Sequence, residues 1–453
     1  MTYCFPYLIS FLIGLLAISL LLQDQKKINL PLRLSLALGI GLSISAHIIF
    51  FGFVIFDKLH RPFVLTIHFC LLALLFIGLL SRWKTFTLPK LNLRKTALEI
   101  LLGLGLIVTI LYVLWTQANF YPYGGWDAWS VWNFKSKFLY LGGQDWKNMF
   151  DPILWRSSQH YPLLLPLTNV WGWIFFKEPT PMIPLINSIL FTFMTVALLY
   201  SGLKIFVKST PALLAALLLV SPTTFITYAT SQYCDIVIAY LLLAGLVCLI
   251  LAKLNRAKVF AFLAGLFLGF LSFTKPEGTL ASALIVGLSV PFFFNKNEGF
   301  SARTHPLTFL GIGLILGLLP TILFHILYAP ANQTFINGLN SSTHPVTMER
   351  FKIIMLYFAS ELMSKKWCGL WALLFIGLLL SHGRCFKREN LLLCSFLGLY
   401  GLLTCFYYWL NTYFEIGWWL TVTLPRVLLA ILPIMIFWVF YSLWGENAEE
   451  QPD

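Results

Sequence analysis

The sequence predicts an all-α, polytopic membrane protein, and three observations support that prediction. Of the 453 residues, 59% are hydrophobic and only 11% are charged. The mean hydropathy is +0.81. The apolar residues also occur in runs close to the roughly 20 residues that cross a bilayer as a helix. Because charged residues make up roughly a quarter of a soluble domain, this composition excludes a water-soluble globule.

Thirteen apolar runs are candidate membrane spans. We place them at residues 6–22, 33–55, 62–80, 97–115, 182–202, 211–226, 235–251, 259–273, 278–294, 306–328, 367–381, 390–410 and 424–444. The run 161–176 is short and rich in proline and tryptophan. We therefore expect it to be interfacial or re-entrant rather than a full span.

Positive charge predicts which side of the membrane each loop occupies. Lys and Arg total 31 against 18 Asp and Glu, a formal charge of +13. We interpret this excess as a topology signal rather than a nucleic-acid surface, because positive residues concentrate in cytoplasmic loops of membrane proteins. An external N-terminus places more than half of the basic residues in the shorter, cytoplasmic segments, at positions 26, 27, 33, 82, 84, 90, 94, 95, 204, 208, 253, 256, 258, 296, 303, 384, 387 and 388.

This topology leaves two long outer loops, 116–181 and 329–366, and the first contains the leading catalytic candidate. It opens with Tyr121-Pro-Tyr-Gly-Gly-Trp-Asp127-Ala-Trp. A lone carboxylate among glycines and aromatic rings at the membrane surface can act as a general base. Aspartate is also a favoured N-cap, so Asp127 could instead cap a helix that begins near Ala128. The aromatic residues fit either an interfacial belt or a platform for sugar rings.

Two further candidates lie in the same loop. Residues 128–141 predict a loosely amphipathic helix that ends at Gly142-Gly143. Such a helix suits the interface, with Lys135 and Lys137 either reaching lipid phosphates or simply snorkelling. His160, in Ser-Gln-His-Tyr-Pro, could join the site or only form hydrogen bonds.

Charged residues recur at the predicted outer ends of later spans. Asp235 begins one helix, Lys275 and Glu277 flank a tight turn, and Arg426 lies just inside the last span. A charge inside a span costs roughly 2.5 to 3.5 kcal/mol on insertion scales, so each is expected to have a partner or a function. Taken singly, they could be an N-cap, a local ion pair and a snorkelling anchor. Taken together, they offer cations for a phosphate leaving group and acids to orient a sugar hydroxyl, a cation or a metal.

These motifs resemble those of the GT-C superfamily of membrane glycosyltransferases, in particular the bacterial branch that contains protein mannosyltransferases and aminoarabinose transferases. The residues that carry the resemblance are Gly125-Trp-Asp127-Ala with Trp132 and Lys135, His160-Tyr-Pro162, Tyr233-Cys-Asp235, Lys275-Pro-Glu-Gly278 and Arg426.

The resemblance implies an enzyme of the bacterial plasma membrane that takes a sugar from a polyprenyl-phosphate carrier at the outer face. The acceptor would be a lipid, a glycan or a protein, and transfer would proceed with inversion. Asp127 then matches the catalytic base and Arg426 a contact to the carrier phosphate. Many relatives carry two adjacent acidic residues where this chain has Asp127-Ala128. This difference counts against metal dependence: a divalent cation is possible, but no local acidic pair supports one.

The resemblance covers roughly Tyr121 to Arg426, and together with the predicted spans and loops it suggests how the chain is organised. Residues 1–96 would form three N-terminal spans, 97–328 the GT-C-like catalytic core with its loop 116–181, 329–366 the second outer loop, and 367–453 the last spans with a short cytoplasmic tail. The alternative function is a transporter or a lipid or polysaccharide flippase. Transporters tend to have repeated halves and ionisable groups near the bilayer midplane. Here no halves repeat, and the spans contain almost no acids at mid-depth, the histidines at 47, 68 and 325 being the main polar residues there. A structural scaffold would leave the charged residues scattered in space.

Overall fold

The computed structural model describes residues 2–23, 25, 28–82, 96–255, 257–293, 300–340 and 346–445. Helices make up 83% of the structure, and the described residues include no strand. The α-helices are α1 (Phe5–Leu21), α2 (Leu30–Phe56), α3 (Arg61–Ser81), α4 (Ala97–Phe120), α5 (Asn133–Leu141), α6 (Leu164–Trp173), α7 (Met182–Leu203), α8 (Ser209–Val220), α9 (Thr223–Thr230), α10 (Cys234–Leu254), α11 (Lys258–Ser272), α12 (Pro276–Phe293), α13 (Phe300–Leu327), α14 (Gln333–Asn340), α15 (Met348–Leu362), α16 (Leu370–Leu380), α17 (Arg388–Leu410) and α18 (Ile416–Trp444).

The prediction of a multi-pass membrane protein is confirmed. Within the described ranges, nine helices are long and apolar enough to cross a bilayer: α2, α3, α4, α7, α10, α12, α13, α17 and α18. A tenth candidate is the pair α8 and α9, bent by 73°. The other three predicted spans coincide with apolar helices of 17, 15 and 11 residues, α1, α11 and α16. At about 1.5 Å per residue, the shortest extends about 17 Å, roughly half of the hydrocarbon core.

The fold refines two sequence expectations. The run 161–176 holds α6, whose ten residues are too few for a span, as expected. All ten are buried against neighbours that include α2, α5 and α7, so α6 is packed inside the protein, and its interfacial or re-entrant placement stays a prediction. The last span begins at Ile416 rather than 424, which places Arg426 about 15 Å along α18 instead of at its start.

Several predicted features fall outside the described residues. They are the basic positions 26, 27, 84, 90, 94, 95, 256 and 296 and the C-terminal tail 446–453.

Local capping signals explain where several helices begin. Asn29 accepts a hydrogen bond from the backbone of Leu32 at the start of α2. Thr96 and Glu99 form a reciprocal capping box at the start of α4. Glu415 accepts from the first backbone amides of α18. Such a cap stabilises a helix by about 1 kcal/mol, so these starts are encoded locally.

Helix α10 forms the centre of the bundle. Its whole apolar window is buried, and it packs against α7, α11 and α18. By contrast, α3 and α4 are mostly exposed and are therefore suited to face lipid. Because α10 begins with Cys234 and Asp235, the central helix places an acidic side chain at one end of the bundle.

Close glycine contacts bring α11 and α13 together. A Cβ on Gly265 or Gly269 would collide with the backbone of α13, and one on Gly313 or Gly317 would collide with that of α11. Each pair has the GxxxG spacing that allows membrane helices to approach closely. The turn after α11, which carries Lys275, is thereby held on a rigid pair of helices.

Candidate functional site

A cavity of about 950 Å³ opens at the end of the bundle where α4 ends and α10 and α12 begin. We call this end the site end. The cavity wall includes six of the seven side chains singled out in the sequence: Asp127, His160, Asp235, Lys275, Glu277 and Arg426. Lys135 is not among the lining residues.

Five of these residues form a continuous network of ion pairs, which we call the charge cluster. Arg426 lies 2.7 Å from Asp127 (Nη1 to Oδ2) and 2.8 Å from Asp235 (Nη2 to Oδ2). Its Nε also donates a 2.9 Å hydrogen bond to Asp235. Lys275 Nζ lies 3.5 Å from Asp235 Oδ1 and 3.1 Å from Glu277 Oε1. Three carboxylates thus face two cations, and the formal charge of the cluster is −1.

Neither aspartate caps a helix through its side chain. Asp127 precedes a π-helical turn at Ala128–Trp132 and makes no side-chain capping bond. Its backbone amide donates to the hydroxyl of Tyr233 at 3.4 Å. The N-cap of α10 is Tyr233 rather than Asp235. The capping interpretation is therefore wrong for both carboxylates, which are held by Arg426 instead.

Three other structural interpretations of the charged residues can be compared with the structure: a local ion pair, a snorkelling anchor and a scaffold. The local ion pair between Lys275 and Glu277 exists, but Lys275 also contacts Asp235 and so belongs to the wider cluster. The snorkelling interpretation of Arg426 is wrong, because this side chain is only 11% exposed and lies between two carboxylates. The scaffold alternative required the charged residues to lie apart, and the structure brings them together.

The three carboxylates of the cluster differ in solvent exposure. The Asp235 side chain is 5% exposed, whereas those of Asp127 and Glu277 are 27% and 39% exposed. Asp235 contacts both cations from the interior and so organises the cluster. Asp127 and Glu277 are the carboxylates that a molecule in the cavity can reach.

Glycines allow the Asp127 segment to dock against the chain that precedes α10. Gly125 donates its backbone amide to Ser231 O at 3.0 Å. A Cβ on Gly124, whose φ is +72°, would lie 2.6 Å from the same carbonyl oxygen, and one on Gly125 would collide with the Tyr233 hydroxyl. Only glycine permits this approach. The Gly-Gly pair noted in the sequence thus places Asp127 beside α10.

Gln232 fastens the same contact from the other side. Its backbone has a φ of +60°. Its side-chain amide donates to Pro122 O at 2.9 Å and accepts from Asn133 Nδ2 at 2.8 Å. One side chain therefore links the loop before Asp127, the start of α5 and the segment that leads into α10. Sequence reasoning missed this residue.

Lys135 does not contact a ligand site, and the expectation that it reaches a phosphate is wrong. The side chain is fully buried. Its Nζ donates to the backbone carbonyls of Ser158 at 2.7 Å and Tyr161 at 3.0 Å. Burial lowers its pKa to about 7. Its role is to anchor the 158–161 segment, which carries His160, to α5.

His160 lines the cavity as a neutral imidazole. Burial, the nearby Lys135 and His325 lower its pKa to about 4. The following residue, Tyr161, lies between two lysines: its ring centroid is 5.6 Å from Lys275 Nζ and 5.7 Å from Lys135 Nζ. At neutral pH, His160 can therefore exchange hydrogen bonds with a ligand but adds no positive charge.

Aromatic residues complete the cavity, and most of them were not singled out in the sequence. Arg426 stacks over the Tyr233 ring at 4.6 Å. Further rings come from α9, α14, α17, α18 and the loop before α18: Tyr228, Phe335, Tyr400, Tyr407, Tyr408, Phe414, Trp418 and Trp419. The aromatic runs at 406–409 and 418–419 were a visible signal. However, such runs are equally typical of interfacial belts.

A divalent cation does not fit this arrangement. Among the described residues, no group of three or more His, Cys, Asp or Glu side chains could hold a metal ion. The two aspartates that approach each other are bridged by the guanidinium of Arg426, which already supplies positive charge between them.

Comparison with protein-family models, with curated proteins and with solved structures finds no significant match to this chain.

Proposed function

We propose that this chain is an integral membrane glycosyltransferase of the GT-C type. It transfers a sugar from a polyprenyl-phosphate carrier to a hydroxyl group of a lipid, glycan or protein at the outer face of a bacterial plasma membrane. One observation carries the proposal: Asp127 is a reachable carboxylate, held 2.7 Å from Arg426, in the wall of a cavity of about 950 Å³. Its companions Asp235, Lys275 and Glu277 come from distant segments of the chain.

In the proposed reaction, Asp127 accepts the proton of the acceptor hydroxyl as that oxygen attacks the anomeric carbon. The new bond joins the acceptor oxygen to the anomeric carbon. The bond from that carbon to the carrier phosphate breaks, and its electron pair leaves on the phosphate oxygen. Attack from the opposite side inverts the anomeric centre. Arg426 orients Asp127 throughout.

The cavity lining supports a ligand with a polar head and apolar neighbours. Ligand sites combine apolar and aromatic walls with a few placed polar groups. Here the polar groups are the charge cluster and His160, and the walls are the rings contributed by α17 and α18. Asp235, Lys275 and Glu277 lie where α10 and α12 begin, and Arg426 reaches them from about 15 Å along α18. The position of the three residues at helix starts favours surface transfer chemistry over transport along a midplane site.

The test is replacement of Asp127 by Asn in cells that lack the chromosomal copy of the gene. Loss of a general base lowers rates by about 10² to 10⁴. We therefore expect Asp127→Asn to fail to restore the missing glycan and to leave the lipid-linked sugar at the level seen in the deletion strain. Mass spectrometry of extracted lipids and glycans provides both readouts.

Asp145→Asn is the matched control. Asp145 is an exposed aspartate in the same loop and does not line the cavity, so this variant should behave like the parent. Transfer by Asp127→Asn within severalfold of the parent would remove Asp127 as the base.

A further inference from the structure

The cations of the charge cluster are already neutralised. Six formally charged side chains among the described residues line the cavity: Asp127, Arg156, Asp235, Lys275, Glu277 and Arg426. Lys275 and Arg426 each contact two carboxylates. With three carboxylates against two cations, the cluster repels an added anion, so a phosphate needs a positive charge from elsewhere.

Arg156 is the remaining cation in the cavity wall within the described ranges. Among the residues that the structure describes, no carboxylate pairs with it. It lies in a 3-10 turn at Pro152–Ser157, and its guanidinium stacks on the ring of Trp155 at 5.1 Å. Stacking of this kind holds a guanidinium in place while its N–H groups remain free to donate.

The neighbours of Arg156 fix its position without competing for charge. Ser158 adopts a φ of +49°, and its carbonyl is held by buried Lys135. His160, two residues further on, is neutral at pH 7 because burial lowers its pKa to about 4. The turn thus presents an arginine that no described carboxylate pairs with, beside a neutral hydrogen-bonding ring.

We infer that Arg156 binds the phosphate of the lipid-linked donor, at a subsite separate from the charge cluster. This inference rests on the proposed function in taking a polyprenyl phosphate as the ligand. A guanidinium binds phosphate oxygens through two parallel hydrogen bonds. Repulsion from the cluster directs the phosphate towards Arg156 and leaves the sugar beside Asp127. The role that the sequence resemblance gave to Arg426 therefore belongs to Arg156.

Binding to the purified full-length protein in detergent tests the inference. The probes are a polyprenyl monophosphate, the neutral polyprenol of the same length, and inorganic phosphate. We expect the parent to bind the polyprenyl monophosphate about tenfold or more tightly than the polyprenol, since a hydrogen bond to a charged group is worth that much. Arg156→Gln should abolish this preference, and Arg156→Lys should retain part of it. Competition by millimolar inorganic phosphate would assign the subsite to free phosphate instead and would overturn the lipid ligand.

Arg61→Gln is the matched control. Arg61 is also an exposed arginine stacked on a ring, 4.9 Å from the centroid of Tyr140, but it does not line the cavity. This variant should bind like the parent. Thermal unfolding of every variant confirms that the fold is intact.

The outcomes separate this inference from the proposed function. Equal binding of the polyprenyl monophosphate by the parent and by Arg156→Gln, or no binding by the parent, overturns the phosphate subsite. If Asp127→Asn still abolishes transfer in that case, the glycosyltransferase proposal stands without it. If binding depends on Arg156 but the protein has no transferase activity, the phosphate subsite is supported and the glycosyltransferase proposal is overturned.

Discussion

Lys135 and Lys137 lie two positions apart on one short helix, yet their environments are opposite. Lys135 is fully buried against backbone carbonyls, whereas Lys137 is exposed. A buried ammonium is tolerated where its donors are satisfied, and carbonyls of the 158–161 segment provide that. Burial thus turns a residue that resembles a phosphate ligand into an internal support.

His160 gives a prediction about pH. Its pKa is lowered to about 4 from the ordinary 6.5, so the unfolded chain binds more protons than the folded chain between those values. The contribution of neutral His160 to the free energy of unfolding is therefore fully present above pH 6.5 and is lost as the pH falls towards 4. We expect acidification from pH 7 to pH 5 to lower the melting temperature of the parent more than that of His160→Gln, measured in detergent.

Comparison of the two proteins cancels the contributions of other titrating groups. His382 is exposed and does not line the cavity, so His382→Gln should behave like the parent. An identical acid-induced decrease in the parent and in His160→Gln would show that His160 titrates normally.

At the scale of elements, two segments far apart in sequence dock through glycines and one glutamine. The loop after α4 approaches the segment before α10 so closely that Gly124 and Gly125 have no room for side chains. Gln232 bridges the two segments. The position of Asp127 relative to Asp235 therefore depends on this contact as much as on either helix.

Gln232→Ala tests that dependence. The variant loses two hydrogen bonds, each worth about 0.5 to 1.5 kcal/mol, and frees the loop that carries Asp127. We expect sugar transfer to fall about tenfold while the protein still folds. Transfer assays in membranes, together with melting temperatures in detergent, distinguish the two effects.

The control for this experiment is Gln144→Ala, at an exposed glutamine of the same loop. It should leave transfer unchanged. If Gln232→Ala transfers sugar at the parental rate, the hydrogen bonds of Gln232 do not position Asp127.

At the scale of the whole molecule, the charge cluster connects the first loop, the central helix and the last helix. Arg426 and Asp235 are 191 residues apart in sequence, and Asp127 joins them from the loop after α4. A buried ion pair contributes little net stability, but removal of one partner leaves an uncompensated charge. The ion pairs of the cluster therefore hold the first loop, α10 and α18 together at the site end.

Arg426→Gln should destabilise the fold by about 3 to 5 kcal/mol, because it leaves the buried Asp235 with Lys275 alone. Glu277→Gln should cost far less, since that side chain is 39% exposed. Denaturant unfolding in detergent micelles measures both. Equal free energies of unfolding for the two variants would show that the buried ion pairs of Arg426 do not hold the bundle together.

The sequence by itself determined the membrane class and the location of the helices. In a bilayer, every backbone polar group must be satisfied within its own segment, so an apolar run of sufficient length has little choice but to become helical. Each of the thirteen predicted spans accordingly coincides with a helix or, for 211–226, with the bent pair α8 and α9. Capping residues such as Asn29 and Thr96 also act locally, although the sequence analysis did not single them out.

Only the tertiary structure decided how the charged side chains are used. It buried Lys135, paired Lys275 and Arg426 with carboxylates, and left Arg156 unpaired among the described residues. The ion pair of Arg426 with Asp235 joins residues 191 positions apart, and the carbonyls that hold Lys135 belong to residues 23 and 26 positions away. Hydropathy and spacing are properties of neighbours along the chain, whereas an ion pair or a cavity wall is a property of neighbours in space.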